Sequence, residues 1–183
     1  VGFENLLTHK RSTILKKWFD VVIEIYPPET ALFLKKQKDR FANPIGSTIF
    51  QGIEDLFGEL LQGINYEKVS TYLDNIIRIR AVQDFTPSQA ISFVFLLKGV
   101  IREELRKEIR ENSLSEELLV LESRIDELAL LSFDIFMKCR EKIYELKAIE
   151  LNNQTYSLLK RAKLIIDLEE QESCPNGDNT KNL

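Results

Sequence analysis

A chain of 183 residues, 44% apolar and 30% charged, has the balance of a globular protein with a substantial core. Its net charge of -4, with Lys and Arg interleaved among acids, excludes a general nucleic-acid binder. No transmembrane run or signal peptide is visible, and Cys139 and Cys174 stand in contexts too different for a structural disulfide, so no membrane insertion and a cytoplasmic setting are expected.

The apolar residues recur at helical spacing, and alternating β-branched runs are nearly absent, so the fold class is all-α. The expectation is a single-domain bundle of six or seven helices with a long C-terminal helical segment. The first helix spans 4–26, with Leu7, Ile14, Trp18, Val21, Val22 and Ile25 on one side and His9 on the other. Pro27-Pro28 stops it, because neither ring supplies an amide hydrogen. Residues 29–38 make one or two short turns. Asn43 before Pro44 is pushed out of the helical region and can cap the next helix. That helix carries Ile45, Ile49, Phe50, Ile53, Leu56, Phe57, Leu60 and Leu61, with Gly52 and Gly58 open to close approach and Gly63 as its C-terminal cap.

A helix over about 66–83 follows, with Tyr66, Val69, Tyr72, Leu73, Ile76 and Ile77 in its apolar stripe. Counting on by 100° places Arg80 inside that stripe, flanked by Gln83 and Asp84. A guanidinium facing a core needs oxygen partners, and Asp84 at i+4 is the local candidate. Arg78 falls opposite, beside Asp74.

Thr86, Pro87 and Gln89 spell a capping box with proline at the first helical position. The helix they open runs from 87 to about 111 and is apolar all round for two turns, which marks it as central. Ser88, Ser92 and Gly99 line up as a shallow ridge, either a helix-docking surface or a solvent edge. Asn112-Ser113 breaks the pattern, and Ser115 starts a helix with no Gly or Pro until Pro175. Its apolar face is wider than a lone coiled-coil seam, so it packs on the core as one long helix or as two joined near 152–155. The organisation expected is a helical domain over 1–150, a helical extension over 151–170 and a disordered polar tail over 171–183.

No catalytic motif is present. A single histidine, on a polar face, removes most histidine-based catalysis and metal chemistry, so neither enzyme activity nor a metal or other cofactor is expected. The polar signal lies at two corners, Arg40 with Asn43 and Arg80 with Gln83 and Asp84. These groups either brace helix ends or line a pocket for a small anion or metabolite.

The segments RFANPIG at 40–46 and RIRAVQDFTPSQAISFVFLLK at 78–98 resemble the N-terminal domain of RsbT co-antagonist proteins of the RsbRD type. The resemblance covers about 5–150. It implies a helical sensory module of stressosome-type signalling, and a related regulator family offers globin-like packing by analogy. With no output domain expected after the helical segment, the implied role is non-catalytic signal input through protein contacts. A protein partner is expected and a homodimer is one form of it, with Ser88, Ser92, Gly99, Leu158 and Ile165 as the candidate contact surface.

Overall fold

The computed structural model describes residues 2–36, 41–83, 85–162 and 164. They form eight helices and no strand: α1 (Phe3–His9), α2 (Arg11–Ile23), α3 (Pro28–Lys36), α4 (Pro44–Gln62), α5 (Tyr66–Val82), α6 (Pro87–Glu104), α7 (Arg106–Asn112) and α8 (Ser115–Arg161). The all-α class is as expected. The count exceeds six or seven because two expected helices are each divided.

The first helix breaks at Lys10 and the central one at Leu105, both with ψ near zero. The two breaks answer each other. Lys10 Nζ donates to the Glu104 carbonyl at 2.6 Å and pairs with Glu108 at 2.6 Å. A helix end leaves carbonyls without partners, and a cation from another element satisfies one of them. Residues 115–161, read as one helix or two, are one helix.

The chain divides into two units, Val1–Glu141 and Lys142–Leu183. In the first, α2 and α4 pack against α6 and α5 respectively. Trp18, Ile53, Phe57, Leu73, Ile76, Phe93 and Leu97 are fully enclosed. The Trp18 indole donates from Nε1 to the Phe93 carbonyl at 2.6 Å, fixing α2 against α6. Gly52 permits the approach of α5 to α4, since a Cβ there would stand 2.7 Å from Ile76 Cδ1. No atom lies within 4 Å of a Cβ built at Gly58. Gly63 ends α4 at φ +104°, where an L side chain is strained.

Ser113 takes the left-handed conformation after α7, and the Leu114 amide donates back to the Ile109 carbonyl. Along α8, Leu121, Ile125, Leu128, Ala129, Ser132 and Phe136 are buried. Ser132, buried within that stripe, donates to the Leu128 carbonyl at 2.7 Å. In the second unit, the described residues of α8 are exposed except Ile143 and Leu159, which are half-buried. The tail expected at 171–183 lies outside the described residues.

Candidate functional site

The site is built on the corner between α5 and α6. On α5 the buried residues are Val69, Leu73, Ile76, Ile77, Arg80 and Ala81, one stripe at helical spacing. Gln83 ends the helix in an extended conformation. Thr86 then caps α6: its Oγ1 accepts from the Gln89 amide at 3.3 Å, and Gln89 Oε1 accepts from the Thr86 amide at 3.0 Å. The capping box fixes the angle at which α6 leaves. It brings the first turn of α6 over Arg80.

Arg80 is fully buried. Its Nη1 donates to the carbonyls of Gln89 at 3.1 Å and Ala90 at 3.3 Å. Three rings enclose the guanidinium carbon, Phe93 at 5.0 Å, Phe85 at 5.4 Å and Tyr26 at 6.0 Å, all within cation–π range. Nε and Nη2 are buried and have no hydrogen-bond partner. Burial lowers the Arg80 pKa below its ordinary value, opposed by the Tyr26 hydroxyl. Tyr26 is pushed up by burial and drawn back by the Arg80 charge.

Tyr26 and Phe85 meet edge to face, with centroids 5.2 Å apart. The Tyr26 hydroxyl donates to Gln83 Oε1 at 3.1 Å, so these side chains form a cover. Arg140 of α8 donates to the Ala81 carbonyl at 3.2 Å, tying α8 to the same helix end.

Of the residues singled out in sequence, Arg80 and Gln83 are brought together here. Asn43 belongs to another corner. It caps α4 by accepting from the Gly46 amide at 2.9 Å, and its Nδ2 donates to the Leu34 carbonyl at 2.9 Å. Arg40, Asp84 and Ile165 lie outside the described residues, and so does the Asp84 partner expected for Arg80. Ser88 and Gly99 are exposed, Ser92 is half-buried and donates to the Gln89 carbonyl, and Leu158 is exposed. Arg78 bonds Asp74 at 2.5 Å on the surface.

Sequence reasoning missed Tyr26, Phe85 and Phe93 as neighbours of Arg80. An aromatic before the Pro27-Pro28 stop and another inside the 83–86 corner were visible, but nothing local joined them. A groove of about 390 Å³ lies elsewhere, lined by Phe3, Leu7, Leu60, Leu61, Glu117 and Arg124 among others. It contains none of the residues expected at the site. Among the described residues, no group of three His, Cys, Asp or Glu side chains could hold a metal.

The family model of the RsbT co-antagonist protein RsbRD N-terminal domain matches residues 12–150. The chain belongs to that family. The RsbRD N-terminal match takes in α2 to α7 and most of α8, and therefore the whole Arg80 corner. An uncharacterized protein of Archaeoglobus fulgidus is 26% identical over 145 residues, covering 76% of this chain and 83% of that one. No solved structure matches this RsbRD N-terminal domain.

Proposed function

We propose that this RsbRD N-terminal domain is a non-catalytic signal-input module acting through protein contacts, and that it works as a cytoplasmic homodimer. Its family is one of regulatory domains, which supports a protein partner. No helix among the described residues is long and apolar enough to cross a membrane.

The observation that carries the contact reading is the outward face of α8. In the first unit, Leu130 and Met137 are exposed. In the second, Tyr144, Leu151 and Leu158 are 56%, 62% and 63% exposed. These positions recur every seven residues, and Ala148 and Thr155 stand between those of the second unit. A sustained seven-residue repeat on a helix is the pattern that a second helix of the same period covers by supercoiling. A second copy of this chain carries that period.

Light scattering on the eluting full chain tests the reading. A dimer is expected, turned to monomer by Leu151→Asp with Leu158→Asp while helicity by circular dichroism is kept. A wild-type chain that stays monomeric at 100 µM, roughly tenfold above an assumed ~10 µM weak-dimer Kd, overturns the homodimer. An unaltered dimer in the double variant overturns this surface.

A further inference from the structure

The Arg80 guanidinium is a buried cation with one hydrogen-bonding edge used and the other vacant. Nη1 serves two backbone carbonyls of α6. Nε and Nη2, the remaining pair, serve none. Together they are the edge by which an arginine grips two oxygens side by side. The chain shows that use at Arg102, whose Nε and Nη2 donate to the two oxygens of Glu122 at 2.5 and 2.7 Å.

Burying donors without acceptors is costly, and more so when they carry charge. The three rings offset part of the cost by cation–π attraction, but a ring face does not replace an oxygen in the plane of the guanidinium. Among the described residues no carboxylate pairs with Arg80. The polar group beside it is the Tyr26 hydroxyl, which donates to Gln83.

We propose that the Nε/Nη2 edge of Arg80 is a binding site for a small planar oxyanion, a carboxylate of formate or acetate size. The ligand enters by parting the Tyr26–Gln83 hydrogen bond and turning Phe85 aside. One oxygen then accepts from Nε and the other from Nη2, and the freed Tyr26 hydroxyl donates to the second lone pair of one of them. The apolar walls of Phe85 and Phe93 strengthen the pairing by excluding water. Planarity and size follow from the edge and its surroundings: two side-by-side donors match two coplanar oxygens, and rings packed around the guanidinium favour the smallest anion that supplies them, so sulfate is expected to bind less well. The proposal takes from the signalling reading only its purpose, a chemical input, and binding at Arg80 stands or falls independently of the oligomeric state.

The test uses the full chain with sodium formate, sodium acetate and sodium sulfate at matched ionic strength. Thermal unfolding is followed, and so is emission from Trp18, the only tryptophan, whose indole is bonded to the Phe93 carbonyl of the cage wall. Formate or acetate is expected to raise Tm saturably, by roughly 5 °C or more at a hundredfold excess over Kd, with a matching saturable change in emission. Arg80→Met keeps the volume and removes the edge, and it is expected to abolish both responses. Arg80→Lys keeps the charge without the side-by-side edge, and it is expected to lose most of the response. It serves where Arg80→Met fails to fold. No saturable response of the wild type, an equal response in the folded Arg80 variant, or an equal response to sulfate overturns the proposal. Loss of the response with dimerisation intact, or the reverse in the Leu151 and Leu158 variant, separates the two readings.

Discussion

Arg80 and Arg102 are the same side chain solved in two opposite ways. Arg102 stands exposed on α6 and reaches inward with its Nε/Nη2 edge to Glu122 of α8, a buried carboxylate. Its pKa is raised by that pairing. Arg80 stands at the end of α5, fully buried among rings and two carbonyls, with no acid paired to it among the described residues. At the rim one partner remains hydrated, so a charged pair can tie two helices without removing both ions from water. In the core a matching acid would have to be desolvated as well, at several kcal/mol per ion. The rim arginine is therefore a tie, and the core arginine keeps two buried donors without an acceptor.

The largest effect expected is at the core arginine, and it depends on the replacement. Arg80→Ala removes a large enclosed side chain and should cost about 3 kcal/mol in urea unfolding. Arg80→Met fills the same volume without burying charge and should be neutral or stabilising. Equal losses in the two would show that the guanidinium stabilises the fold as it stands, and the contrast with Arg102 would collapse.

Next in size is Trp18→Phe, which loosens the wall behind Arg80 by deleting the bond to the Phe93 carbonyl. A loss of about 1–2 kcal/mol is expected in the same assay. Arg102→Ala should follow, lowering the denaturation midpoint because it leaves Glu122 buried without its cation. Glu122→Gln should lower it less, since a neutral amide is easier to leave there. The reverse order would mean that the rim pair does not act as a tie.

The smallest effect concerns Glu108, held below the usual carboxylate range chiefly by its bond to Lys10. A depressed folded-state pKa gives stability that is present above the ordinary glutamate value. It is lost as pH falls through the lowered one. Lys10→Gln should therefore lower stability slightly at neutral pH and leave it nearly unchanged below the lowered Glu108 value, so that the acid limb of a stability–pH curve becomes flatter.

Several of these features were legible before any coordinates. The phase of α5 placed Arg80 inward by counting, the Thr86–Gln89 capping box was spelled in three residues, and Gly63 and Ser113 closed helices where the pattern stopped. Two helix breaks were not legible. Lys10 and Leu105 carry no Gly or Pro, and the cation that satisfies the Glu104 carbonyl comes from a residue 94 positions away.

What the sequence determined by itself is local: an all-α chain, where most helices begin and end, and which side of each is apolar. Those follow from bonds and contacts between residues three or four apart. Only the tertiary structure decided what encloses Arg80, because Tyr26, Phe85 and Phe93 come from three segments whose meeting depends on how α2, α5 and α6 cross. Packing chooses those crossings from the fit of whole surfaces, and no single stretch of sequence contains it.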